Sequence, residues 1–211
     1  RMTEALGGAE KLAAVRTLTT SSAIHITTPG GPMTAESRTI LAPPDRMRSE
    51  FAMFGQTQLE GVGPAGCWRT QQGQAVDLEG DEAKEARQDL ERAMFFVAYA
   101  RSSDDWVLQG EGVQDGRHAV KVVGPSGGAF TAYVDAQSGL PSRTEWDGKH
   151  PMTGAAARFV DEFSDFRAVG GVLRPHKIVT SLDGKPFLEA TVTDLVINGD
   201  VAADAFVRPQ S

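Results

Sequence analysis

Between residue 16 and the C-terminus, apolar and polar residues mostly alternate, and turn signals recur roughly every 10 to 15 residues. "PGG" at 29–31 and "PPD" at 43–45 punctuate the first half, and "QDGR", "GPSGG", "DAQSGLP", "WDGKHP", "AVGG" and "LDGKP" the second. In "LTTSSAIHITT" the residues Leu18, Thr20, Ser22, Ile24 and Ile26 share one face, and His25 points the other way. Met47, Phe51 and Met53 alternate in the same manner further on, and "QTQLEG" and "CWRTQ" read as further strands. A period of two cannot place its apolar set on one side of a helix. The chain is therefore committed to a meandering antiparallel sheet. "FRAVGGVLRPHKIVTS", residues 166–181, is a hairpin of it: Gly170 and Gly171 supply the positive φ of the reversal, and Pro175 suits an edge or a bulge. His176 then shares a face with Ile178, Thr180 and Leu182, as a half-buried histidine with its hydrogen bonds satisfied.

Two segments break the pattern. "GAEKLAAV", within the first 15 residues, reads as a short helix, with Leu12 and Val15 three apart. "GDEAKEARQDLERAMFFVAYARSSDD", Gly80 to Asp105, has no proline and no internal glycine. Asp81, Glu82 and Glu85 suit the positive end of a helix dipole there, and Arg101 the negative end. From Ala93 to Ala100 it is apolar on every side, so it must be covered on every side. We expect a buried plug within the sheet. With no linker, low-complexity tract or short repeat, residues 1–211 read as one domain, mainly β: a strongly curved, half-open antiparallel barrel of about ten strands wrapping a central helix.

The formal charge of -7 opposes binding to nucleic acid, and the 21 basic residues form no cluster. Cys67 is the single cysteine, so neither an intramolecular disulfide nor a cysteine-built zinc site can form. The longest apolar run, "AMFFVAYA", is far shorter than the roughly 20 residues of a membrane span. The start at Arg1, running at once into "ALGGAEKLAAV", leads us to expect a targeting segment or a preceding domain upstream.

The motifs that imitate catalytic sites fail on context. "GVGPAG", Gly61 to Gly66, matches a dinucleotide fingerprint, but the "CWRTQQG" after it reads as a strand where a helix is required. "GPSGG", Gly124 to Gly128, matches a nucleophile elbow around Ser126, yet "AFTAYVD" follows it, again a strand. A serine hydrolase remains only as a remote alternative. His25, His118, His150 and His176 show no metal-ligand spacing, although His118 and His176 fall on apolar faces and could meet. Glu162 and Asp165 in "FVDEFSDF" could pair as catalytic acids, but outward-facing sheet carboxylates account for them. No metal and no cofactor is expected. Phe51, Met53, Met94, Phe95, Phe96 and Tyr99 are different: gathered between a curved sheet and its plug, they form either a filled core or the lining of an apolar cavity fit for a lipid chain.

"YVDAQSGLPSRTEW", "FSDFRAVGGVLRPHKI" and "ATVTDLVINGDVAADAFVRP" resemble the LolA/LolB-like superfamily of bacterial envelope proteins. The resemblance lies in a strand ending at Asp135, the Ser138-Gly139-Leu140-Pro141 turn, the Val-Gly-Gly-Val-x-x-Pro hairpin, and a closing Ile197-Asn198 strand completed by Phe206 and Pro209. "ALGGAEKLAAVRTL" is similar to the opening of such domains. The resemblance implies a half-open barrel over an apolar cavity. It also implies a periplasmic or envelope-associated, noncatalytic protein whose partner is a lipid or a lipoprotein acyl chain. Similar domains also stand behind pitrilysin-type zinc peptidases, which makes an accessory, protein-binding domain of a peptidase the alternative. The H-x-x-E-H zinc motif of such enzymes is missing from this stretch.

Overall fold

The computed structural model describes residues 1–100 and 103–209. Thirteen strands form one antiparallel sheet, three more than the roughly ten read from the sequence. The surplus comes from short hairpins in each half. The first meander comprises β1 (Leu18–Thr28), β2 (Gly31–Ala42), β3 (Arg46–Met53), β4 (Gln56–Gly63), β5 (Gly66–Gln71) and β6 (Gln74–Leu78). The second comprises β7 (Val107–Gln114), β8 (Arg117–Val123), β9 (Ala129–Asp135), β10 (Pro141–Lys149), β11 (Ala156–Val169), β12 (Val172–Leu182) and β13 (Lys185–Ile197). Within each meander every strand pairs with its neighbour in sequence, and β1 pairs with β13 to join the two. The free edges are therefore β6 and β7, which do not pair with each other: the barrel is half-open.

The helix α3 (Gly80–Ala98) carries the chain from β6 at one edge towards β7 at the other, across the concave face. Met94 to Ala98 are all buried, as an apolar segment covered on all sides requires, whereas Ala93 is exposed. The helix ends before the expected Asp105, with a short 3-10 turn at Ser103–Asp105; Arg101, expected to stabilise its end, lies outside the described residues. The N-terminal helix is in fact two, α1 (Met2–Ala5) and α2 (Ala9–Ala13). Gly7 and Gly8, with φ of 126° and 95°, cannot continue a helix and break it there. A side chain on Gly7 would collide with the Gly171 carbonyl, so this break seats the two helices directly on the β11–β12 turn. In that turn Gly170 and Gly171 both have positive φ, between the paired Val169 and Val172, as expected.

The main core collects Leu6, Leu12 and Val15 from the N-terminal segment, Met94, Phe95 and Phe96 from α3, and sheet residues such as Leu41, Val62, Val122 and Phe130. A smaller cluster of Ile24, Ile26, Ala35 and Ala190 lies apart from it, with Phe51, Met53 and Ile178 packed against its edge. Pairing irregularities at Ser21/Ser22 and Thr180/Ser181, on the strands flanking the join, add the local twist that curves the sheet.

The join is clasped by Asn198. Its Oδ1 accepts from the backbone N–H groups of Arg16 (2.6 Å) and Thr17 (3.3 Å), and its Nδ2 donates to Ala14 O (3.0 Å). It does so at φ 57°, a left-handed value that asparagine tolerates better than most residues. Asn198→Ala should lose about 2–4 kcal/mol in urea unfolding, from the three hydrogen bonds and the backbone strain together. Asn198→Gly should recover about 1 kcal/mol of that loss, because glycine removes only the strain. An alanine variant within about 0.5 kcal/mol of wild type would mean the clasp contributes nothing.

Candidate functional site

Between the two apolar clusters the concave face is unfilled. A cavity of about 670 Å³ lies there, roofed by one face of α3 and floored by six neighbouring strands, β2-β1-β13-β12-β11-β10. The roof residues Glu85, Gln88, Asp89, Arg92, Ala93 and Phe96 recur at three- and four-residue steps, one stripe of the helix. The opposite stripe, Ala86, Leu90, Met94 and Val97, is buried in the main core. Leu18, Thr20 and Ser22 of β1 and Ser37, Thr39 and Leu41 of β2 form one wall, following the alternation visible in the sequence. The other wall is aromatic. Trp146 and Phe159 stack at 5.2 Å and 8°, and Phe96 meets Phe163 edge-on at 5.8 Å. One side of the cavity is thus small and hydroxylated, the other broad and apolar.

Three charged side chains line the interior. Arg92 lies over the Trp146 ring, 4.7 Å from its centroid, and forms an ion pair with Asp89. Burial lowers its pKa to about 10, partly offset by the charge of Asp161. Asp161 accepts a 2.6 Å hydrogen bond from the Thr180 hydroxyl on the neighbouring strand. Burial pushes its carboxyl up to about 6, against the Thr180 hydrogen bond and the Arg92 charge. Arg174, on β12, is also held at about 10 by burial, and no acidic neighbour offsets the cost. The other charged groups that line the cavity are paired: Glu85 with Lys149 at 2.5 Å and Asp147 with Arg158 at 3.1 Å.

No protein-family model matches the chain, and no curated protein matches it in sequence. Solved structures do match. A LolA superfamily protein from Nitrosomonas europaea superposes with a TM-score of 0.62 at 14% identity, over 98% of this chain and 97% of that one. The fold is LolA-like. A candidate outer membrane lipoprotein-sorting protein domain from Vibrio parahaemolyticus gives 0.59 at 9% identity, covering 94% and 93% of the two chains. A DUF1329 family protein from Desulfovibrio piger gives 0.60 at 11%, covering 97% and 95%.

Within this LolA-like fold the six expected lining residues separate. Met94, Phe95 and Phe96 sit together in the main core at 1%, 2% and 7% exposure, with Tyr99 tilted against Phe95 at 5.8 Å. Phe51 and Met53 lie by the smaller cluster and line a different depression beside Gln56 and Gln58. Of the six, only Phe96 lines the cavity under the helix. His176 is buried, and its Nδ1–H donates to Arg174 O at 3.0 Å, which fixes that tautomer. His118 is exposed on β8, four strands away from β12, so the two histidines do not meet and the apolar face assigned to His118 is corrected. Among the described residues no three metal-ligating side chains gather. Glu162 and Asp165 are both exposed, and Asp165 pairs with Arg167 at 2.6 Å. Ser126 sits in the turn from β8 to β9, where its hydroxyl and N–H both donate to Glu91, at 2.8 and 2.7 Å. That contact ties α3 to the second meander. "GVGPAG" is the β4–β5 hairpin, and Gly61 is required there because a side chain would collide with the Trp68 indole.

The residues the sequence reading missed are Asp161, Arg92 and Arg174. Periodicity contained each of them: Asp161 alternates with Phe159 and Phe163, Arg92 lies one turn before Phe96, and Arg174 is four residues before Ile178. Asp161 makes stability depend on pH. Its folded pKa of about 6 exceeds the usual 3.8, so the contribution of the neutral carboxyl is complete below about pH 4 and is lost as pH rises through 6. Wild type should therefore lose up to about 3 kcal/mol across that window in chemical unfolding. Asp161→Asn should lack that part of the slope, match wild type near pH 4 and exceed it at pH 7.5; parallel curves for the two proteins would show that Asp161 titrates normally.

Proposed function

We propose that the chain is a noncatalytic binding domain of the bacterial envelope, one domain over residues 1–211, which holds the apolar chain of a lipid or lipoprotein between α3 and the concave sheet. The observation that carries this reading is the cavity itself. Its volume, about 670 Å³, lies within the roughly 300–1,000 Å³ of small-molecule sites. Phe96, Phe159 and Phe163 offer a broad apolar wall, along which each buried methylene contributes about 0.8 kcal/mol. The likeness to a LolA superfamily protein and to a candidate lipoprotein-sorting domain supports the same ligand class and an envelope location. The cavity lies beside the helix face that fills the core, with Phe96 belonging to both, so a ligand can occupy it with Leu90, Met94 and Val97 still in place.

Binding here is adaptable rather than stereospecific. Aromatic rings and small hydroxyls hold an apolar chain by buried area, so affinity should follow the number of methylenes covered more than the positions of double bonds.

Native mass spectrometry of wild type, followed by organic extraction, should show an extractable lipid or uptake of one dodecanol per chain. Ser22→Phe and Thr39→Phe place a ring in the cavity from the β1–β2 wall. Each should abolish uptake while leaving the thermal midpoint within a few degrees of wild type. Wild-type protein that is lipid-free and takes up nothing would refute the reading, as would full uptake by both filled variants.

A further inference from the structure

Arg174 is the unusual group in this cavity. Its Nε has no solvent contact and no hydrogen-bond partner, and its guanidinium forms no ion pair among the described residues. The residue as a whole is half-buried, but a guanidinium nitrogen shut from water without an acceptor is costly. The nearby acids do not serve it. Asp161 takes the Thr180 hydroxyl and faces Arg92, Asp89 pairs with Arg92, Asp147 with Arg158, and Glu85 with Lys149. Arg167, its cross-strand partner on β11, is a second cation and is itself occupied by Asp165. Arg174 is held from behind as well. The preceding residue, Leu173, donates its N–H to Leu6 O at 2.9 Å, which fixes this part of β12 to the N-terminal helices. His176 Nδ1–H bonds the Arg174 carbonyl. The backbone that carries the guanidinium is thereby pinned at both sides, while the side chain lines the void.

We infer that Arg174 anchors the anionic head of an amphiphile whose tail lies along the aromatic wall. The shared chemistry is an oxyanion, a carboxylate or a phosphate, which a guanidinium binds in two-pronged fashion. A free fatty acid would bring the first and a lysophospholipid or alkyl phosphate the second. Arg92 does not compete for this role, since Asp89 and the Trp146 ring already occupy it. The inference rests on the proposed cavity function and adds to it a polarity: head at Arg174, tail towards Phe159 and Phe163.

The test holds the tail constant and varies the head. Laurate, dodecyl phosphate and dodecanol, each below its aggregation limit, are titrated by calorimetry into wild type, Arg174→Gln and Arg174→Lys, with circular dichroism to verify folding. Wild type should bind at least one anion ten- to a hundredfold more tightly than dodecanol, as a desolvated charged hydrogen bond implies. Arg174→Gln should bind the two anions no more tightly than it binds dodecanol, and Arg174→Lys should retain part of the preference. Which anion binds more tightly distinguishes a carboxylate source from a phosphate source. Equal binding of all three by wild type would overturn the anchor and leave the cavity reading standing. An anion preference that survives in a folded Arg174→Gln would overturn the assignment to this residue. Failure of all three probes to bind wild type would remove the cavity reading, and the anchor with it.

Discussion

The pairing of β1 with β13 is the contact on which this structure depends. Each meander is local, every strand lying beside its neighbour in sequence, and the cavity draws its lining from both. Joined through Leu18 to Ile26 and their partners Leu188 to Ile197, they become one curved surface. The Asn198 clasp then fixes the end of that seam to the segment between α2 and β1. Pairing over so large a sequence separation pays a loop-closure cost before it yields any contact, and that cost is met by the main core, which draws on both meanders and on α3.

The helix resolves a conflict built into such a surface. A concave sheet with an apolar face must be covered, but complete coverage leaves no room for a ligand. α3 divides the task along its circumference, with Leu90, Met94 and Val97 filling the core and Gln88, Arg92 and Phe96 facing the void. The void is not purely apolar, because Asp161, Arg92 and Arg174 stand in it. Charge partly withdrawn from water costs stability unless it is well paired, and Arg174 has no such pairing among the described residues. A cavity of this composition suits a ligand with two unlike ends better than a hydrocarbon alone.

Much of the architecture was legible in the residues, because its rules are local. Alternation placed Leu18, Thr20, Ser22, Ile24 and Ile26 on one face, the Gly170-Gly171 pair marked a hairpin, and the apolar run after Ala93 marked a covered helix. The site was less legible. Nothing local says at which end of a barrel a strand position falls, so Phe51 and Met53 were grouped with Phe96 although they belong to another cluster. Asp161 and Arg174 were passed over because charged residues in strands usually face water. The period-two rule that placed the apolar residues applied equally to them. His118 erred in the opposite direction, since apolar neighbours on an outer strand did not bring it inside.

The route of α3 from one edge of the sheet to the other has a genetic corollary. The covalent link between the two meanders is the chain between α3 and β7. A break in that stretch would leave two polypeptides, each a complete run of neighbouring strands, that still meet at the β1–β13 seam and in the main core. The cavity belongs to neither: Thr20, Ser37 and Arg92 come from the first, Trp146, Asp161 and Arg174 from the second. Viewed this way, the cavity is the interface of a heterodimer that happens to be encoded as a single chain.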